Sequence, residues 1–278
     1  LAIKSGNAIL LKGGKEALRS NRALHTLVLK ALAEFPVGTV QLVVAREDVT
    51  ELLKLDALID QVVPRGGAGL IRFVKDHAKM PVVAHDRGLC HVYFHSDADP
   101  QKARAIVLNA KTQRPGVCNA METLLWHRDF PLEAMRETLQ ALLHKGVEIH
   151  ACEKTFPLLP GLVKAQDSDF DTEWLDLKLS VKQVPGPDSA ISHIQKHGTH
   201  HTEAVLAQDP AVIELFLSQI DASCLAINAS TRFNDGGELG LGAELGISTS
   251  KLHAYGPMGA QEMTTTRFIV RGDGHVRR

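Results

Sequence analysis

Short apolar runs alternate with longer amphipathic stretches from the beginning of the chain. Ala8-Ile9-Leu10-Leu11 is the first run and reads as a buried parallel strand. After Lys12-Gly13-Gly14-Lys15, the residues Leu24, Leu27, Val28, Ala31 and Leu32 recur at helical spacing and give one apolar face. Strands are predicted at 40–44, 59–63, 81–83 and 91–94, with helices at 47–55 and 70–78 between them. Such alternation predicts a parallel sheet with helices on both faces. A second α/β unit begins at Asp99: helix 99–111, strand 123–126, helix 132–145 and strand 148–151. A segment rich in Pro, Gly and polar residues covers 156–168, and a half-exposed strand is predicted over 174–182. Helix 210–219, a buried strand at 224–228 and a β-rich tail at 264–272 complete the pattern.

The break between helix 99–111 and strand 123–126 carries the first candidate chemistry. Arg114-Pro115-Gly116 ends the helix in a tight turn, and Cys118 follows at once. Catalytic groups are held on loops between rigid elements, and the nearby Lys111 and Arg114 would favour thiolate over thiol. The same cysteine also reads as a small buried hydrophobe. Two strand-to-helix turns combine glycine with base: Lys12 and Lys15 flank one, and Arg65 precedes Gly66-Gly67 in the other. Backbone N–H groups at such turns attract phosphate, although neither turn is a G-x-G-x-x-G or Walker loop, and both serve equally well as plain tight turns. The loop 229–237 lies at the carboxyl end of strand 224–228, where ligands of open parallel sheets bind. There Ser230, Thr231 and Arg232 suit an anionic group or a solvated turn.

His193, His197 and His201 are spaced by four, with His200 beside the last. A helix could place two such imidazoles on one metal. Gly198 and Thr199 should end the helix first, and no H-E-x-x-H is present, so no metal is expected.

Composition narrows the class. The 278 residues are 44% hydrophobic and 23% charged, ordinary for a globular protein, with a formal net charge of -1. Nothing in that balance draws the chain to nucleic acid or to a membrane surface. No apolar run approaches the ~20 residues that span a bilayer. Cys90, Cys118, Cys152 and Cys224 are dispersed without a C-x-x-C pair, which fits free thiols in the cytoplasm. Leu1 to Asn7 read as the end of a helix closed by Gly6, with no signal peptide visible; the chain is expected to be a fragment lacking an N-terminal portion.

Five dispersed stretches together resemble the γ-glutamyl phosphate reductase (glutamate-5-semialdehyde dehydrogenase) family, a branch of the aldehyde dehydrogenase superfamily. The most specific is 184–203, running from Val184-Pro185-Gly186 through His193-Ile194 and His197-Gly198-Thr199 to His201-Thr202-Glu203. Val205 stands where isoleucine is more usual. Lys111-Thr112-Gln113-Arg114-Pro115 with Cys118-Asn119, and the stretches 64–70, 228–233 and 253–259, also match; Tyr255 replaces a common arginine.

The resemblance implies an α/β, aldehyde-dehydrogenase-like fold, N-terminally truncated, with a Rossmann-like cofactor domain and an α/β catalytic domain. Residues 1–100 would be part of the NADP-binding domain and 101–210 the catalytic domain. Residues 211–244 would return to the cofactor domain, and 245–278 would form an oligomerisation arm. It further implies NADPH as cofactor, with Lys12 at the adenosine ribose, Lys15 at the 2′-phosphate, Arg65, Gly66 and Gly67 at the phosphates, and Glu173 at the nicotinamide ribose. Cys118 would take the acyl group of γ-glutamyl phosphate as a thioester, reduced to glutamate-5-semialdehyde on the way to proline. Asn119, Ser230, Thr231 and Arg232 would bind substrate, and the backbone N–H of Cys118 would serve the oxyanion. The stretch 81–91 lacks the superfamily's hydrolytic glutamate. A homo-oligomer is expected, with possible association with a glutamate 5-kinase. The fragment alone is expected to have little reductase activity. The alternatives are another acyl-phosphate or aldehyde dehydrogenase, and a non-catalytic nucleotide-binding module of the same fold.

Overall fold

The computed structural model describes residues 1–84 and 87–277. Leu1 to Asn7 form turns that end in a helix-type cap: Gly6 has φ 81°, its N–H donates to the Ile3 carbonyl, and Asn7 N donates to the Ala2 carbonyl. Strand β1 (Ile9–Lys12) pairs parallel with β2 (Val40–Val43), and helix α1 (Leu18–Ala31) links them. Helices α2 (Arg46–Leu52) and α3 (Ala68–His77) follow. The expected strands 59–63 and 81–83 reduce to one isolated parallel bridge, Val62 to Val82.

From residue 90 onward the chain builds an all-parallel sheet. Its strands are β3 (Cys90–Phe94), β4 (Met121–His127), β5 (Glu148–Ala151), β6 (Val163–Lys164), β7 (Lys178–Val184), β8 (Thr202–Leu206) and β9 (Cys224–Ile227). Their spatial order is β6-β5-β7-β4-β3-β8-β9. Helices α4 (Pro100–Thr112), α5 (Leu132–His144), α6 (Pro187–His197) and α7 (Pro210–Gln219) connect them. Capping fixes where these helices begin. Asp99 accepts from the N–H groups of Gln101 and Lys102 with Pro100 in the first turn, and Asp209 does the same for Ala211 beside Pro210.

Register sorts the strand residues into two faces. The row Val181, Leu124, Val92, Ala204 and Ala226 lies in the core with α4 and α5 residues such as Val107 and Leu139. The next row, Lys182, Leu125, Tyr93, Val205 and Ile227, faces the other way; its central members pack with Ile191 and Ile194 of α6 and Phe216 of α7. All seven residues of β4 are buried, the polar Glu122, Thr123 and His127 among them. Trp126 also donates its indole N–H to Thr155 Oγ1 at 2.9 Å.

Three expectations change. β3 and β9 belong to this one sheet, although the first had been placed in the 1–100 cofactor unit and the second in its 211–244 return; backbone pairing to β4 and β8 fixes both here. Strand 174–182 starts only at Lys178, because Leu175 sits at φ 51° and cannot continue an extended chain. The tail 264–272 forms no strand, its backbone having no partner ladder; Phe268 and Val270 are exposed. Two short strands, β10 (Ile247–Ser248) and β11 (Gly256–Pro257), pair just before it.

The first unit has little interior. Its main cluster is Leu53, Val74 and Met80 with a few partners. β1 is largely exposed rather than buried, and α1 has no buried residue: Leu24 and Leu27 are each 60% exposed. An apolar face of that kind binds a hydrophobic dye. The chain is therefore expected to raise anilinonaphthalene-sulfonate fluorescence at neutral pH, and Leu24→Glu with Leu27→Glu to abolish most of that signal without changing the far-ultraviolet circular dichroism.

Candidate active site

Helix α4 ends at Thr112, and residues 113–120 turn before β4 begins. Cys118 therefore sits at the amino end of its strand. The same end gathers Gly88 before β3, Glu173 before β7, Thr199 before β8 and Ser223 before β9. Polar contacts tie these loops together. Cys90 donates its thiol to the Cys118 carbonyl at 3.2 Å. Gly88 N–H donates to Glu173 Oε1 at 2.7 Å, and Leu89 N–H to Thr199 Oγ1 at 3.0 Å. A Cβ on Gly88 would lie 1.9 Å from the Cys118 carbonyl oxygen, so only glycine lets the two backbones approach.

The loop after β9 folds back to this amino end instead of staying at the carboxyl end, where ligand binding was expected. Asn228, at φ 51°, clamps both backbone groups of Ala207 with its amide. Ser230 caps the short turn Thr231–Phe233. Thr231 Oγ1 then donates to the Asn119 carbonyl at 2.7 Å, and Asn119 Nδ2 to the Asn234 carbonyl at 3.0 Å. Asn234 Nδ2 donates to Thr202 Oγ1 at 2.8 Å, and Arg232 Nε to Gln113 Oε1 at 2.8 Å. Asn119, Ser230, Thr231 and Arg232 are thus brought together around the Cys118 turn.

Beneath the turn lies a buried ion pair. Lys111 Nζ and Glu122 Oε2 are 2.8 Å apart, and neither side chain is exposed. Glu122 Oε1 also accepts from Leu175 N–H at 3.3 Å. That bond holds the strained Leu175 two residues after Glu173.

The electrostatics reverse one expectation. Burial, then the carboxylates of Glu173 and Glu244, push the Cys118 thiol up to about 11, opposed by its own backbone N–H and by Arg65. Lys111 is spent on Glu122, and Arg114 is exposed. Arg65 supplies positive charge that opposes the rise. Sequence reasoning missed Gly88, Cys90, Glu122 and Glu244. Glu122 alone left a signal, as a charge inside the apolar run Met121 to Trp126.

Lys12 and Lys15 lie apart, exposed at the end of β1 on the two-stranded sheet; Lys12 Nζ donates to the Gly13 carbonyl. Gly67 caps α3, and among the described residues no side chain bonds the first N–H groups of that helix. Residues 85 and 86 of the stretch 81–91 lie outside the described residues.

The histidines separate. α6 ends at His197 with Gly198 as its cap, and a Cβ there would meet the Ile194 carbonyl oxygen at 2.5 Å. His197 Nδ1 bonds Asp171 Oδ1 at 2.7 Å, whereas His201 lies beyond Gly198 against Thr202. Among the described residues no group of three His, Cys, Asp or Glu side chains is placed to hold a metal.

His193 is on the buried face of α6. Burial first, then His91, Lys182, His197 and Lys196, hold its imidazole well below the ordinary 6.5, at about 2. The unfolded chain takes up this proton as pH falls through 6.5 and the folded chain does not, so stability is lost across that descent. Urea midpoints measured from pH 7 to pH 4 are expected to fall, and His193→Gln to flatten the slope.

Comparisons place this geometry. No protein-family model matches the chain. The γ-glutamyl phosphate reductase of Desulfotalea psychrophila is 48% identical over 281 residues, covering all of this chain and 67% of that protein. The enzyme of the same name from Thermus thermophilus is 50% identical, with 68% of it covered. The chain belongs to the γ-glutamyl phosphate reductase family. It spans about two thirds of the length of these relatives. The crystal structure of the Thermotoga maritima family member superposes with a TM-score of 0.97 at 45% identity, over all of this chain and 68% of that one. An acetylating aldehyde dehydrogenase from Geobacillus thermoglucosidasius, 19% identical, superposes with a TM-score of 0.71 over 99% of this chain and 72% of its own, which shows the shared aldehyde dehydrogenase fold. Two further neighbours of that fold were crystallised with NAD or NADP. No helix of the described residues is long and apolar enough to cross a membrane.

Proposed function

We propose that the chain carries the thiol chemistry by which γ-glutamyl phosphate is reduced to glutamate-5-semialdehyde in proline biosynthesis. The observation that carries this is Cys118, held by Gly88, Cys90 and Asn119 at the point where five loops meet, in a chain of this family. Attack forms a bond from Cys118 Sγ to the acyl carbon; the C–O bond to phosphate breaks, and phosphate departs with the thiol proton. On reduction the C–S bond breaks and the sulfur regains a proton. The backbone N–H of Cys118 is one donor for the oxyanion in both halves. Ser230, Thr231 and Arg232, anchored to the same turn, hold the substrate's anionic groups.

The donor set fits NADPH. Lys12, Lys15 and Arg65 are exposed, and α3 starts at Ala68 behind its Gly67 cap with no acidic residue in its first turn. When bound, that cofactor supplies hydride to the carbonyl carbon on Cys118. Lys12 is assigned to the adenosine ribose, Lys15 to the 2′-phosphate, Arg65, Gly66 and Gly67 to the phosphates, and Glu173 to the nicotinamide ribose through the oxygen that Gly88 leaves open. We assign cofactor binding to the unit ending with α3 and catalysis to the seven-stranded sheet. The stretch 245–278 is assigned to homo-oligomer contacts, and a glutamate 5-kinase, which makes the labile substrate, is assigned as a partner. The four free thiols fit a cytoplasmic setting.

The test is intact-mass analysis of the chain with γ-glutamyl phosphate formed in place by a glutamate kinase. One glutamyl group on Cys118 is the expected result; acylation elsewhere, or none, overturns the reading. Equal acylation by acetyl phosphate would favour a general acyl-phosphate dehydrogenase.

A further inference from the structure

A cavity of about 350 Å³ runs along α6 and is lined by Lys182, Asp188, Ser189, Ser192, His193, Lys196 and His197. It lies apart from the Cys118 loops. Lys182 stands near the carboxyl end of β7, and Asp188 and Ser189 open α6 from that end, whereas Cys118 precedes β4. Carboxyl ends are where open parallel sheets take ligands. Ser189, Ser192, His193 and Lys196 follow at three, four and seven residues, so one face of the helix presents them all.

The charges do not cancel. Two ammonium groups meet one carboxylate, Asp188, and among the described residues neither Lys182 nor Lys196 forms an ion pair. Lys182 lies over the Phe170 ring at 5.2 Å from its centre, and its Nζ donates to His193 Nδ1 at 3.2 Å. An ammonium has no lone pair, so Nδ1 must accept and the ring proton must sit on Nε2. The structure shows His193 Nε2 buried without a partner among the described residues. Asp171, a further carboxylate, is bonded to His197 Nδ1 at 2.7 Å. The positive end of the α6 dipole adds to the same potential.

We propose that this cavity binds a small phosphate-type anion, held between the Lys182 and Lys196 ammonium groups and the Ser189 and Ser192 hydroxyls. Two ammonium groups and two hydroxyl donors against the single Asp188 carboxylate leave a net positive, donor-rich lining, and the volume admits a phosphate with a small organic group attached. The proposal stands apart from the catalytic reading, because no residue of the Cys118 site lines the cavity.

The chain is titrated with inorganic phosphate against sodium chloride of matched ionic strength, following melting temperature and the side-chain ¹H–¹⁵N signals of histidine. A saturable rise in melting temperature with movement of the His193 signal is expected. Lys182→Met with Lys196→Met should weaken binding by roughly tenfold or more, as loss of charged hydrogen bonds predicts. Ser192→Asp, at an exposed helix position, should do likewise by placing a carboxylate in the cavity, and it keeps the test open if the double variant fails to fold. Cys118→Ser with Arg232→Met should leave this binding unchanged. Absence of saturable binding, or binding lost in the Cys118 and Arg232 variant but kept in Ser192→Asp, overturns the proposal.

Discussion

Cys118→Ser loses acyl capture and lowers turnover of γ-glutamyl phosphate on the order of 10³-fold or more, the scale on which nucleophile removal acts. Serine keeps the size and the hydrogen-bonding capacity of the side chain. It lacks a thiolate, and among the described residues no histidine or other base is bonded to the side chain at position 118 to activate a hydroxyl in its place. The pH dependence distinguishes this from a structural defect. Since the resting thiol is held up at about 11, acylation of the parent chain is expected to quicken steadily from pH 7 toward that value. Glu173→Gln removes the larger of the two carboxylate contributions after burial, so it should move the rise to lower pH and speed iodoacetamide labelling of Cys118 at pH 8. Peptide mapping of labelled chain gives the rate at each cysteine. Cys90, with no exposure and a thiol pushed well above its usual range by burial and Glu203, is the internal slow standard. Labelling of Cys118 no faster than Cys90 would remove the case for a nucleophile.

Lys111→Met is expected to cost about 3–5 kcal/mol of stability, the range for stripping one partner from a buried ion pair. Burial pushes Glu122 up to about 7 even with Lys111 beside it. Without that ammonium, a carboxylate would face only Leu175 N–H. Lys111→Met combined with Glu122→Leu should recover most of the loss, because neither charge is then stranded. Urea unfolding of the two single variants and the double variant measures the coupling. The double variant should nonetheless react abnormally at Cys118. Glu122 Oε1 holds Leu175 N–H, and Leu175 follows Glu173, whose carboxylate bonds Gly88 against the Cys118 carbonyl. Stability restored with altered thiol reactivity is the expected signature; restoration of both would show that the pair serves folding alone.

The sheet was legible because its strands are apolar runs bounded by caps: Asp99-Pro100 and Asp209-Pro210 mark helix starts that the structure keeps. The first unit was less so. Its apolar residues promise a buried face, and α1 and β1 leave that face open. Periodicity reports which side of a helix is apolar, not whether anything covers it. Strand 174–182 failed for a local reason, since alternation is blind to a left-handed residue such as Leu175. At the site, the motif residues Cys118, Asn119 and Arg232 could be named from the sequence. Their partners could not. Gly88 meets the Cys118 carbonyl, and the charge of Glu244 acts on its thiol, only through tertiary folding, and the apparent activators Lys111 and Arg114 were misleading because sequence distance says nothing about which way a side chain turns.

Strand order has a consequence during synthesis. β3 is the first strand of the large sheet to be made, and β4 soon covers one of its edges. The other edge awaits β8: Glu203, which bonds the His91 backbone there, comes 112 residues later. At the usual pace of translation that delay is roughly 6–20 s. For that time a nascent chain carries a bare ladder of peptide groups beside Val92 and Phe94, open to whatever strand arrives first, so crowded polysomes are where this molecule is most prone to pair with its own copies.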